Sequence, residues 1–286
     1  LVDRAYISFE QTKAIFGDLK SRVTGNPVRY EFIEHARLAL ADPEGFESRA
    51  RTVLVLGGSQ GARKLNEDVP RALARAGLAR RNLRVVHQTG ESMRDEVEAT
   101  YRELGIEADV VVFIDEMARA YSNAALVVAR AGATTLAELC AIGRPSVLVP
   151  FPFAADDHQA KNAMALEEQG ASICIRESEL DADALGDLVG ELLDDPARRR
   201  AMASAARDHG RPDAAAAIVD DMIEWIGKSA GTREASAVPK SDAPRGTQYS
   251  GLSMAPSLRL GCPPVSMRPP SHRPRRPVVV DGAVWE

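Results

Sequence analysis

Between Ala129 and Ala163 the sequence runs ARAGATTLAELCAIGRPSVLVPFPFAADDHQAKNA: small residues and threonines, a helical stretch, a strand ending in prolines, then a knot of polar side chains. Small residues ahead of a helix let backbone amides approach an anion, and the helix N-terminus itself favours negative charge. Asp156, Asp157, His158, Gln159 and Asn162 crowd donors and acceptors together, a mixture that suits hydroxyl groups because each hydroxyl both donates and accepts. The two ends together call for a ligand that carries phosphate and sugar-like hydroxyls. A metal site is not expected, since the knot lacks repeated His or carboxylate ligands at fixed spacing.

A second stretch, VLVLGGSQGARKLNE, sets Gly57, Gly58, Ser59, Gln60 and Gly61 between an apolar strand and a helix. Glycine permits a tight turn and close approach of the backbone to a ligand, again with a helix N-terminus behind it. No Gly-Lys-Ser/Thr follows, so it is not a Walker A loop. It also lacks the G-x-G-x-x-G spacing of the dinucleotide fingerprint, and the next strand ends in His87-Gln88 rather than an acidic ribose ligand. ATP and NAD are therefore not expected. Each motif has a structural account beside the functional one. The glycines fit a purely steric turn, AADDH fits an N-cap region, and Thr135-Leu136-Ala137-Glu138 fits a capping box that would occupy Glu138 in local hydrogen bonding.

The elements that must position these residues are legible as apolar runs of strand length: 52–56, 83–88, 109–114, 125–130, 145–151 and 171–177. Continuous β-branched runs are what strands covered on both faces look like. Helical patterns fit between them at 63–77, 135–143 and 158–170, and two closing helices follow. The expected fold class is α/β, a doubly wound parallel sheet of Rossmann-like form, with ligands in the crevice at the carboxyl ends of the strands.

At 286 residues, with 45% hydrophobic and 27% charged content, the chain can bury a sizeable core. Residues 228–286 hold nine Lys/Arg against four Asp/Glu, which leaves residues 1–227 at −10 within a net charge of −5. An acidic body argues against nucleic-acid binding, which needs a basic face. Cys140, Cys174 and Cys262 stand apart without zinc or disulfide spacing, as in a reducing cytoplasm. No run approaches the length of a membrane span. The start is not a signal peptide and lacks an initiator Met, so it reads as the interior of a longer protein. Residues 228–286 carry nine of the 17 prolines and no regular period, which predicts a disordered tail.

Four segments, TGNPVR (24–29), GGSQGA (57–62), FIDEMARAYSNAALVVARAGATTLAEL (113–139) and VPFPFAADDHQAKNAMALEEQGA (149–171), resemble the C-terminal, donor-binding domain of the MurG family. These are GT-B glycosyltransferases of family 28. The resemblance covers residues 1–227 and implies one of two Rossmann-like halves, with residues 1–29 the remnant of the acceptor half plus hinge, and residues 30–227 binding UDP-GlcNAc. It implies transfer of N-acetylglucosamine from UDP-GlcNAc to lipid I, forming lipid II, with no metal or other cofactor. By the same likeness Ser59 and Arg29 would lie at the donor phosphates and nucleotide. The backbone of Ile114 would hold uracil, Ala133, Thr134 and Thr135 the α-phosphate, and Glu138 the ribose. His158, Gln159 and Asn162 would orient the sugar.

In the family the other half supplies the general base, the lipid I groove and the surface that docks peripherally on the cytoplasmic face of the plasma membrane. None of His35, His87, His209 or His272 stands as that base, so this chain alone is expected to bind donor without transferring it. Two alternatives stay open: another GT-B glycosyltransferase, and a catalytically silent sugar-nucleotide-binding module.

Overall fold

The computed structural model describes residues 3–58 and 62–236. The first strands, β1 (Ala5–Ile7) and β2 (Ser21–Val23), flank a short helix α1 (Lys13–Phe16) and pair in parallel as a separate two-stranded sheet. After Gly25, at φ +83°, come α2 (Tyr30–Ala41) and α3 (Pro43–Ser48), the latter capped by the Asp42 carboxylate on the Gly45 amide at 2.9 Å.

Strand and helix then alternate: β3 (Thr52–Leu56), α4 (Arg63–Arg75), β4 (Arg84–Gln88), α5 (Arg94–Glu103), β5 (Ala108–Val111), α6 (Met117–Asn123), β6 (Ala124–Ala129), α7 (Ala133–Ile142), β7 (Ser146–Leu148), α8 (His158–Glu168) and β8 (Ser172–Cys174). Three helices close the unit, α9 (Ala182–Asp194), α10 (Pro196–His209) and α11 (Ala214–Ser236). The six strands of the main sheet lie in the order β5-β4-β3-β6-β7-β8, every pair parallel.

Why the strands carry unbroken apolar runs is plain from their neighbours. Val53 and Val55 face a core with Leu65 and Leu73 of α4, Val97 of α5 and Val189 of α9. Leu54 and Leu56 face the opposite core, with Phe32 of α2, Tyr121 of α6 and Leu136 and Leu139 of α7. Both faces are covered, so neither can be polar. All six expected strands are present where the sequence places them, but three of their ladders stop early: at Val111 rather than 114, Leu148 rather than 151, and Cys174 rather than 177. The residues beyond leave the ladder to build the rim of the crevice. At the other end α11 continues to Ser236, past the expected start of the tail at 228. The expectation of disorder for residues 237–286 lies outside the described residues.

One buried polar network braces the back of the sheet. His87, fully buried in β4, sits with Nδ1 3.0 Å from the Tyr101 hydroxyl and Nε2 3.2 Å from Asn66 Oδ1. Because the Asn66 amide donates to the Thr89 carbonyl at 3.0 Å, its oxygen must accept. Nε2 therefore carries the proton and Nδ1 accepts from the phenol.

Burial pushes the His87 pKa down to about 3 from an ordinary value of 6.5. The unfolded chain therefore takes up a proton that the folded one refuses. The stability contributed by neutral His87 is complete above pH 6.5 and is lost as pH falls toward 3, at about 1.4 kcal/mol per pH unit. Urea unfolding at pH 7.0 and at about pH 5 measures this directly. His87→Gln should lose less stability between the two values than the wild type, by roughly 2 kcal/mol.

Candidate functional site

After β3 the chain builds β4 and β5 outward on one side, then returns to lay β6 against the other side of β3. At such a switch point the loops leaving the two central strands part, and a crevice opens outside their carboxyl ends. Both small-residue turns lie there. The Arg130 amide donates to the Leu56 carbonyl at 3.2 Å, so the two turns begin side by side.

In the first turn Gly57 donates to the Gln88 carbonyl at 3.1 Å. A Cβ at Gly57 would lie 2.9 Å from the Ala62 amide nitrogen and 3.2 Å from the Gln88 carbonyl oxygen, both immovable backbone. Gly58 follows at φ +82°, where glycine alone is unstrained. Ser59, expected at the phosphates, lies outside the described residues.

In the second turn the N-cap of α7 is Gly132, in extended conformation and with no side chain to cap the helix. Among the described residues, the first amides of α7, on Ala133, Thr134 and Thr135, thus have no capping side-chain acceptor. This corrects the capping-box account: Thr135 is the third residue of the helix rather than its cap, so Glu138 has no cap amide to reach.

Glu138 instead turns into the second core. It is 8% exposed, and its Oε1 lies 3.6 Å from Arg29 Nη2. Burial raises its pKa, and the Arg29 charge opposes the rise. Arg29, the N-cap position of α2, stacks 5.2 Å above the Phe32 ring. Ile114, just past β5, is buried in the same cluster as Phe32 and Tyr121. The structure thus gathers Arg29, Ile114 and Glu138, three residues far apart in sequence.

The sugar end is built around the start of α8. Asp156 and Asp157 both have positive φ, at 51° and 54°, an uncommon conformation for side chains other than Gly. His158 Nδ1 lies 2.6 Å from the Ala155 carbonyl and therefore carries its proton there. Gln159 Oε1 accepts from the Phe151 amide at 3.0 Å, which commits the acceptor half of that amide to the loop and leaves its NH2 group for a ligand. His158 and Asn162 line a cleft of about 840 Å³ with Ala133, Asp156, Lys161 and, from the first segment, Tyr6 and Phe9. Among the described residues no cluster of His, Cys, Asp or Glu could hold a metal ion.

Arg130 was missed in the sequence reading. It closes β6, is 13% exposed, donates to the Val149 and Pro150 carbonyls at 3.2 Å each, and pairs with Glu177. Its guanidinium also stacks on Phe151, so one side chain ties the loops after β6, β7 and β8. The available signal was a cation ending an otherwise apolar strand run.

The family described as Glycosyltransferase family 28 C-terminal domain matches residues 52–218. The UDP-N-acetylglucosamine--N-acetylmuramyl-(pentapeptide) pyrophosphoryl-undecaprenol N-acetylglucosamine transferase of Geobacter sulfurreducens is 45% identical over 223 residues, 78% of this chain and 61% of that protein. The protein of the same description from Sorangium cellulosum is 46% identical over 226 residues, 78% of this chain and 54% of its own length. This chain thus spans a little over half the length of these curated relatives. Among solved structures, MurG of Acinetobacter baumannii superposes with a TM-score of 0.58 at 34% identity, over 63% of this chain and 52% of that one.

The Arg29–Glu138 pair yields a direct test. Arg29 is the one group holding the Glu138 pKa down against burial. In Arg29→Ala the Glu138 carboxyl should therefore titrate at higher pH than in the wild type, as read by carbon-13 NMR of labelled glutamate. An unchanged midpoint would mean that the two side chains do not interact in solution.

Proposed function

Since the chain belongs to the glycosyltransferase family 28 C-terminal domain family, we propose that it is the donor-binding half of a hexosyltransferase that uses UDP-GlcNAc. The whole enzyme would transfer N-acetylglucosamine to lipid I, the undecaprenyl-pyrophosphoryl N-acetylmuramyl-pentapeptide, giving lipid II for peptidoglycan. The observation that carries this reading is that the two small-residue turns begin side by side at the switch point, the second without a side-chain cap among the described residues, opposite the polar start of α8.

The family likeness supplies the roles of the residues within this arrangement. Free amides at the starts of α4 and α7 receive the diphosphate, with Ser59 and Arg29 beside it and Ala133, Thr134 and Thr135 at the α-phosphate. The Ile114 backbone holds the uracil edge, and the Glu138 carboxylate accepts from the ribose hydroxyls. His158, Gln159 and Asn162 orient the sugar. In the transfer an acceptor hydroxyl oxygen bonds to the anomeric carbon while the carbon–oxygen bond to UDP breaks. UDP departs with the electron pair, and the hydroxyl proton passes to a base. The contribution of this half is to stabilise the charge that grows on the leaving diphosphate, using helix N-termini that are already oriented.

Lipid I and the cytoplasmic face of the plasma membrane would be met by the acceptor half of the whole protein. Among the described residues no helix is long and apolar enough to cross a membrane. Residues 1–29, with Tyr6 and Phe9 in the cleft wall, would then be the edge of that half and the hinge, and residues 30–227 the donor domain.

Thermal unfolding tests the reading. UDP and UDP-GlcNAc should raise the melting temperature, by the equivalent of about 2.7 kcal/mol at a hundredfold excess over Kd, while ATP and NAD leave it unchanged. An equal shift with ATP would count against a uridine site. Glu138→Ala should weaken UDP binding by roughly 1–3 kcal/mol, the cost of leaving ribose hydroxyls unpaired. The assay of the full-length enzyme on lipid I decides the acceptor.

A further inference from the structure

Along the flank of α7 the molecule keeps a second cavity, of about 250 Å³, which adjoins the cleft at the start of α8 along Phe9 and Ala133. Its floor is one stripe of α7: Ala133, Leu136, Ala137 and Cys140 recur at the three- and four-residue spacing of a single helix face. Leu166 of α8 and Phe9 and Val23 of the first segment line the other sides. Three of the four residues on the stripe are short, and the two backbone crossings beside it already touch their neighbours. A Cβ on Gly210, just past α10, would fall 2.6 Å from the Cys140 carbonyl oxygen, and one on Gly25 would fall 2.6 Å from the Arg211 Cβ. Protein interiors seldom keep empty space much larger than a water molecule, because the atoms lining it forfeit their contacts. Space of this size, left between elements that are themselves in firm contact, is room for a ligand.

The charge at its edge defines what that ligand would carry. The floor is apolar, its thiol included: burial pushes the Cys140 pKa up to about 12, so the group stays neutral. Three exposed residues, Glu10, His209 and Arg211, form part of the lining. Glu10 is matched by Lys13 at 2.7 Å. Arg211 has no carboxylate partner among the described residues. It donates to the carbonyls of Asp208 and Gly210 at 3.2 and 2.9 Å, and both bonds leave from Nη1. Nε and Nη2 thus keep their protons available, and this pair of nitrogens is the edge of a guanidinium that grips an acid group with two parallel bonds.

We propose that this cavity is a second ligand site, outside the crevice, for a small anion with an apolar body: the hydrocarbon part lies on the Ala137–Cys140 stripe of α7, and a carboxylate or sulfonate pairs with Arg211. The apolar surface supplies affinity and the unmatched cation selects the acid. The site does not depend on the uridine reading given above.

The test is titration of the full chain with two fluorescent probes, 8-anilinonaphthalene-1-sulfonate and N-phenyl-1-naphthylamine, the second being the same ring system without the acid. The wild type should bind one sulfonate probe per chain and keep it in saturating UDP. Arg211→Gln should weaken the sulfonate about tenfold and leave the neutral probe unchanged, whereas Ala137→Leu, which fills the space, should weaken both. Displacement by UDP would put the probe in the crevice and overturn the proposal. So would equal losses of the two probes in Arg211→Gln, or no loss of the sulfonate. If the chain binds no UDP, the remaining measurements decide alone. Should Ala137→Leu fold poorly, Cys140 provides a further readout. In a chain carrying Cys174→Ser and Cys262→Ser, methyl methanethiosulfonate should modify Cys140, and saturating sulfonate probe should slow that reaction. A thiol that reacts equally fast with and without the probe, or never reacts, would sink the idea.

Discussion

The continuation of the β3–β6 ladder into the Arg130 amide and Leu56 carbonyl, at 3.2 Å, is the contact on which the site depends. A parallel sheet wound in one direction only would stack each loop against the next and leave no opening. Here the return of the chain to the free edge of β3 puts the loops after β3 and β6 next to each other, while their helices depart to opposite faces. Two helix N-termini then converge on one place without any residue being chosen for that purpose. The residue choices come afterwards: glycines where the backbone must approach closely, and no capping side chain on α7.

Holding α7 at the right depth falls to a buried cation just behind its end. Gly143 closes the helix at φ +75°, where a Cβ would fall 2.1 Å from the Arg207 side chain and 2.9 Å from the Ala203 carbonyl. Arg144 then enters the core with no exposure at all. An unpaired guanidinium there would be prohibitive. It binds the carbonyls of Tyr121 and Ser122 at the end of α6, pairs with Glu47 at 2.9 Å, and lies 3.8 Å from the Phe46 ring centroid. Burial lowers its pKa to about 10, still far above neutrality, so it remains a cation at the C-terminus of α6, where the helix dipole favours one. The ends of α6 and α7 are thereby locked together.

Much of the fold could be read from the sequence, because burial on both faces writes itself into a strand as an unbroken apolar run. Thr52–Leu56 is the clearest case, with bounds identical in sequence and structure. The limits of the other strands were less legible, since Val149 and Ile175 are as apolar outside the ladder as their neighbours are inside it. The start of α7 was ambiguous for another reason: Ala133, Thr134 and Thr135 all tolerate both cap and helix, and the end of β6 decides between them. Side chains whose partners come from distant elements could not be read at all. His87 needs Asn66 of α4 and Tyr101 of α5, and Glu138 needs Arg29 beyond four intervening strands. Spacing along the chain carries no trace of either.

The distribution of satisfied and unsatisfied groups follows the same division. Behind the sheet, His87, Asn66 and Thr89 complete one another's hydrogen bonds, and Arg144 has a partner for each of its nitrogens. On the crevice side local rules are broken repeatedly: α7 begins uncapped, two consecutive aspartates sit at positive φ before α8, and the Tyr121 hydroxyl is buried without a partner among the described residues. Each departure costs stability when considered alone. A fold tolerates such costs where the surrounding packing over-determines the geometry, and violations of local consistency gather where a ligand supplies what the protein leaves open. For the first amides of α7 the missing partner is an acceptor, which an anionic ligand at the helix N-terminus supplies.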